Sequence, residues 1–275
     1  MKIGIFDSGL GGLIIAKSLI QAMPQYPFVY FGDTKHVPYG SRSYETIYEF
    51  SRNCIDYLFR TQDCRLVIIA CNTASIAALR KLQQEYLPIN FPERRILGII
   101  VPTLEYVAQR GLRNIGLLAT EGTIRSGVYG EELAKIDPSI KVYSVAAPLL
   151  VPLVENDGDK FAPAIIHEYL EKFSGTGIDS IILGCTHYPH YKKLIKEQAC
   201  EVLGCDIEVI SQDEILQESL SDYLHRHPEI EQDITKNESP IFITTDITGA
   251  YLAQANRMFG RKIEILSATV QNMGS

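Results

Sequence analysis

No apolar run in this 275-residue sequence approaches the ~20 consecutive residues that a membrane span needs. Positive charge is also scarce: 26 lysines and arginines against 33 acidic residues give a formal net charge of −7 and a pI near 5.4. The basic footprint of nucleic-acid binding is therefore missing, as is a polybasic patch for anionic lipid. Neither nucleic acid nor membrane is expected as a partner. There is no CxxC pair, so the zinc-ribbon and thioredoxin-type signatures are absent. Cys200 and Cys205 have no ligand-type spacing with a nearby histidine, and no metal site is expected there or elsewhere. A phosphatase-type CxxxxxR loop is missing too, because six residues beyond Cys71 stands Ala77 and six beyond Cys185 stands Tyr191. The first apolar run breaks at Asp7, too early for the core of a signal peptide. A cytoplasmic protein with free thiols at Cys54, Cys64, Cys71, Cys185, Cys200 and Cys205 is the expectation, rather than three disulfides.

What is present is an ordinary globular mixture, 46% hydrophobic and 21% charged, enough to bury a core. Residues 3–6, 28–31, 66–70, 96–101, 115–119, 141–146, 178–183, 207–210 and 241–244 read as strands. Helical patterns fall at 13–23, 43–60, 73–85, 106–110, 127–136, 161–173, 191–199, 213–225 and about 249–259. Continuous apolar strands alternating with helices predict an α/β fold with mostly parallel, doubly covered sheets. The polar stretch 225–240, with His225 and His227, reads as an exposed connection, and the tail 267–275 reads as loose.

One internal echo stands out. A buried strand runs into Cys71-Asn72-Thr73, and a second runs into Cys185-Thr186-His187. Two similar α/β halves follow from this, each with a cysteine at the carboxyl end of a central strand, where open α/β sheets bind ligands. One such cysteine is as easily an ordinary core residue, since free cysteine is among the most buried residue types. Two in matching contexts favour chemistry. A thiol near a helix start or a cation is activated, and His187, two residues beyond Cys185, can act on it. After the first strand come Asp7 and Ser8, with glycines at 9, 11 and 12, a turn that lets backbone approach a ligand. Asp33 closes the second strand, and a turn-rich loop carries Tyr39 and Gly40. Tyr39 alone reads more readily as a cover for the core edge. Thr120 and Thr123 end a strand in the second half, as helix caps or carboxylate ligands. Glu155 closes the apolar run that begins at Pro148, as a surface or a site residue.

Nucleophilic catalysis needs one cysteine and one base, which leaves the second cysteine unexplained. Removing a proton from one face of a carbon and returning one to the other face needs two comparable groups. Two cysteines from two similar halves fit that requirement better. A hydrolase or transferase with one cysteine nucleophile, and a binding protein that has lost its chemistry, are the rival readings.

Taken together, IGIFDSGLGGL, YFGDTKHVPYG, VIIACNTAS, PLLVPLVE and IILGCTHYP resemble the aspartate/glutamate racemase family, and its glutamate racemases in particular. The stretches run from residue 3 to about residue 190, and their combination in this order is specific. The resemblance implies two similar α/β domains facing each other across a central cleft, expected as 1–97 with about 207–275, and 98–206. It implies interconversion of L- and D-glutamate without pyridoxal phosphate or metal, with the D-glutamate supplied to peptidoglycan synthesis. Cys71 and Cys185 become the catalytic acid/bases, supported by Asp7 and His187. Asp7, Ser8, Tyr39, Gly40, Asn72, Thr73, Thr120, Thr123, Thr186 and His187 become substrate-holding positions, and Asp33 and Glu155 further acids. A homodimer is the family expectation. Two departures are visible: Ala147 stands where the family often has a cysteine, and 244–249 match its polar segment only loosely.

Overall fold

A computed structural model describes residues 1–204 and 206–270. Cys205 and the last part of the tail lie outside the described residues. The other five cysteines are free thiols. The chain divides into two compact units, Met1–Ile99 together with the chain from Leu216 onward, and Ile100–Ile215.

The first unit is built on a six-stranded parallel sheet in the order β10-β9-β2-β1-β3-β4. Its strands are β1 (Lys2–Asp7), β2 (Phe28–Gly32), β3 (Cys64–Ile69), β4 (Arg95–Gly98), β9 (Ile241–Thr244) and β10 (Ile265–Ser267). In the middle, Ile5 of β1 lies opposite Tyr30 of β2 and Ile68 of β3. These strands are apolar on both sides because helices cover both faces of a parallel sheet. On one face Phe6, Phe31, Val67 and Ile69 pack with Ile47, Cys54, Ile55 and Leu58 of helix α2 (Tyr44–Arg60). Helix α1 (Gly12–Ala22) returns the chain from β1 to β2.

The second unit carries a four-stranded parallel sheet in the order β6-β5-β7-β8. Its strands are β5 (Asn114–Ala119), β6 (Lys141–Ala146), β7 (Ser180–Gly184) and β8 (Glu208–Ser211). Strand β8, which falls within the chain segment expected for the first domain, pairs with β7 here.

Several expectations need correction. Residues 96–101 are not one strand: β4 ends at Gly98, and helix α3 (Ile100–Gln109) starts at Ile100. Ile100, Thr103, Leu104 and Val107 are buried at helical spacing, so period rather than apolarity decided the element. The helical segment after Cys71 begins at Asn72 and reaches Asn90, with wider turns at Ser75–Leu79 and Leu82–Tyr86. The apolar run before Glu155 is a short helix, Leu150–Glu155. The stretch 225–240 is not simply exposed. Pro228–Glu231 is helical, Ile230 and Ile234 are buried, and the amides of Thr235 and Asn237 donate to the carbonyls of Met1 and Gln25. His227 stacks on Tyr223 instead of standing free in solvent. In the tail, β10 adds a strand beside β9, and the Ala268 amide donates to the Thr244 carbonyl.

The join between β1 and α1 has no spare room. A Cβ on Gly12 would lie 2.4 Å from Asp7 Cβ and 2.7 Å from its Cγ. Gly12→Ala should therefore destabilise the protein by about 1–3 kcal/mol through overpacking, measured by urea denaturation. Stability equal to the parent would show that Asp7 yields without cost.

Candidate active site

Open parallel α/β sheets bind ligands at the carboxyl ends of their strands, where the chain leaves the sheet. In the first unit β1 ends at Asp7, which is fully buried, and its Oδ2 accepts the Gly9 amide at 2.9 Å. Tyr30 Oη donates to the Gly9 carbonyl at 2.5 Å. The Tyr30 phenol is held well above its ordinary pKa, by burial first and then by the charges of Asp7, Tyr251 and Cys71. It therefore remains a neutral donor that fixes the turn. Strand β3 delivers Cys71, which is 7% exposed. Its Sγ accepts the Ala74 amide at 3.4 Å and lies 3.2 Å from Ser8 Oγ. The thiol thus caps the helical segment that starts at Asn72. Asn72 is buried beside it and Thr73 is half-buried.

Asp33, at the end of β2, is also fully buried. It accepts from Tyr39 Oη at 2.7 Å, Thr245 Oγ1 at 2.8 Å and His36 Nδ1 at 2.8 Å. Its own amide donates to the Asp7 carbonyl at 3.0 Å. Tyr39 is buried, and Gly40 beside it has open space on its Cβ side. Tyr39 therefore does cover the core, while its hydroxyl is committed to an acid of the site.

In the second unit β7 delivers Cys185, Thr186 and His187, all buried. Cys185 Sγ lies 3.8 Å from His187 Nδ1, and His187 Nε2 lies 2.9 Å from Glu155 Oε1. A thiol, an imidazole and a carboxylate stand in sequence. Burial lowers the His187 pKa, but hydrogen bonds to Cys185 and Glu155, and the charge of both, outweigh it and push it up to about 10. The imidazole is then charged at neutral pH. Tyr188 Oη donates to the Ala147 carbonyl at 2.7 Å, anchoring the residue that follows. Ala147 is fully buried, and its methyl brings no thiol to this point. Thr120 caps the helix Glu121–Ser126 by accepting the Thr123 amide at 3.3 Å, and it donates to Thr123 Oγ1 at 3.1 Å.

The residues singled out in sequence thus form two clusters. Asp7, Ser8, Asp33, Tyr39, Gly40, Cys71, Asn72 and Thr73 belong to the first unit. Thr120, Thr123, Glu155, Cys185, Thr186 and His187 belong to the second. Asp33 binds Tyr39, and Glu155 binds His187. Sequence reading passed over Tyr30, Tyr188 and the contact of Thr245 with Asp33. An aromatic in a core strand gives no local sign that its hydroxyl has a polar partner. Among the described residues, no three His, Cys, Asp or Glu side chains are grouped to hold a metal ion. No helix there is long and apolar enough to cross a membrane.

Each of the two parallel sheets delivers a hydrogen-bonded thiol at a strand end, an arrangement of the α/β class. The Asp/Glu/Hydantoin racemase family matches residues 14–215, and the chain belongs to that family of amino-acid isomerases. It is 36% identical over 278 residues to the glutamate racemase of Dinoroseobacter shibae, covering 96% of this chain and 97% of that one. It is 35% identical over 265 residues to that of Geobacter metallireducens, covering 95% and 93%. Among solved structures, Francisella tularensis glutamate racemase in complex with D-glutamate superposes with a TM-score of 0.84 at 31% identity, covering 98% and 97%.

The raised His187 pKa has a definite sign. Its contribution to stability is whole below the ordinary value of 6.5 and is lost as the pH rises through about 10. Denaturation midpoints of the parent should fall across that window. NMR titration of Glu155→Gln should place the imidazole well below about 10, because one of the groups that raise it has lost its charge. An unmoved titration would show that the carboxylate does not hold the proton on His187.

Proposed function

We propose that this chain interconverts L- and D-glutamate by transferring a proton between two cysteines, without pyridoxal phosphate or metal. The observation that carries the reading is the pair of thiol clusters, each at the carboxyl end of a central parallel strand. The D-glutamate bound to the Francisella tularensis relative and the names of the curated relatives support glutamate as the substrate.

The α-proton of an amino acid is very weakly acidic. A carbanion-like transition state therefore needs a close thiolate and donors aimed at the developing charge. In the proposed cycle one cysteine, as thiolate, takes the α-proton from one face of the carbon. The other, as thiol, gives a proton to the opposite face. The two exchange protonation states in each turnover, and either proton exchange with solvent or the reverse reaction restores them. Ser8 and the Ala74 amide support Cys71, with Asp7 behind them. His187, held by Glu155, supports Cys185 and keeps a proton within reach. Asn72, Thr73, Thr186, Thr120, Thr123 and the Tyr39–Gly40 turn offer N–H and hydroxyl groups for the substrate carboxylates. The reading requires both clusters to reach the same α-carbon. It further assigns the D-glutamate to peptidoglycan synthesis in a bacterial cytoplasm, and a homodimer as the working state.

Incubation of the protein with L-glutamate in D2O, without added cofactor, should give loss of optical rotation and deuterium at the α-carbon. Cys71→Ala and Cys185→Ala should each lower racemisation by about 10²–10⁴-fold or more, the scale of a lost acid/base. No exchange with glutamate but exchange with aspartate would change the substrate. A covalent adduct on one cysteine, with the other replaceable, would favour a hydrolase or transferase instead.

A further inference from the structure

Asp33 is a fully buried carboxylate with three side-chain partners, and one of them comes from the far end of the chain. A carboxylate can only accept, so the hydroxyls of Tyr39 and Thr245 must both donate to it. Thr245 Oγ1 in turn accepts the Lys35 amide at 3.0 Å, so the one hydroxyl both donates and accepts here. One residue away, Thr34 Oγ1 lies 2.6 Å from Thr244 Oγ1, donates to the Asp246 carbonyl at 2.8 Å and accepts the Asp246 amide at 3.0 Å. The Thr245 amide donates to the Gly32 carbonyl at 3.1 Å. Residues 244–246 therefore stitch the loop after β2 to the end of β9. The His36 ring, stacked on Phe50 at 4.2 Å, closes the remaining side.

We infer that Thr245 is a positioning residue for the reaction, acting through Asp33 and the Tyr39 hydroxyl to hold the Tyr39–Gly40 turn at the substrate. The inference rests on the glutamate reading and extends it to a part of the chain that the sequence resemblance matched only loosely. Tyr39 is anchored by its hydroxyl and its buried ring, which leaves the backbone at Gly40, open on its Cβ side, as the part of the loop a ligand can approach. The Asp33 amide is bonded to the Asp7 carbonyl, so the same anchor shares a backbone frame with the cluster around Cys71. Removing the Thr245 hydroxyl leaves one lobe of a buried carboxylate short of a donor and the Lys35 amide short of its acceptor. The loop loosens while both thiols remain.

Thr245→Val and Thr245→Ser, compared with the parent, test this by two readouts. In the valine variant, hydrogen exchange of amides 34–41 should quicken while that of α2 stays unchanged. The KM for glutamate should rise about tenfold, the scale of a lost hydrogen bond to a charged group, with kcat within about threefold. Serine should restore both. Unchanged exchange in the loop overturns the inference whatever the activity. Quickened exchange with KM unchanged overturns it as well, since the loop would then be anchored for stability alone. A parent that does not turn over glutamate sinks the racemase reading and with it the link to substrate, whereas the exchange data still decide the anchor.

Discussion

A parallel strand buried on both faces has no polar side chain to offer until it ends. That constraint governs the whole molecule. In β1, β3, β5 and β7 most interior positions are isoleucine, leucine, valine or phenylalanine, with glycines in β1 and β5, while Arg65 near the start of β3 is buried and paired with Asp233. Each strand must then hand the chain to a return segment at its carboxyl edge. The polar residues of the protein's chemistry stand there because only there can a side chain leave the core while its backbone remains fixed by the sheet. Asp7, Asp33, Cys71, Thr120, Cys185 and His187 all follow strand ends within a few residues. Burial at these points raises the strength of every hydrogen bond and the cost of every unmet one, which is why each acid there has named donors.

The two thiol clusters meet the same demand in different ways. Cys71 is surrounded by neutral or dipolar groups: a serine hydroxyl, a backbone amide and the start of a helical segment. Cys185 stands beside an imidazole held by a carboxylate. The first arrangement surrounds the sulfur with partial charges that do not titrate. The second uses a full charge that titrates near pH 10. The proposed interconversion of mirror-image molecules does not require mirror-image catalysts.

Local pattern made much of this legible. The strands at 3–6, 28–31, 115–119 and 141–146 were readable because continuous apolar runs bounded by turns have few other uses in a chain of this kind. Where the reading failed, two signals competed. Residues 96–101 are apolar without interruption, and the change from strand to helix at Ile100 shows only in the spacing of Ile100, Thr103, Leu104 and Val107 further on. The stretch 225–240 is charged enough to look solvated, yet Ile230 and Ile234 turn inward. Tyr39 had two readings, core cover and ligand contact. The structure gives it the first and, through Asp33, a connection to the site.

Sequence by itself determined the alternation of strands and helices, the two cysteines in matching contexts, and the acids and hydroxyls next to them. These are local facts, set by periodicity and by which residues can follow a buried strand. Only the tertiary structure decided the partners. His187 meets Glu155 across 32 residues, and Asp33 meets Thr245 across 212. Buried polar groups bond to whatever the fold brings near, and loop closure places no strict limit on how far along the chain that neighbour comes from. Composition and spacing carry no record of that choice until the sheets are assembled.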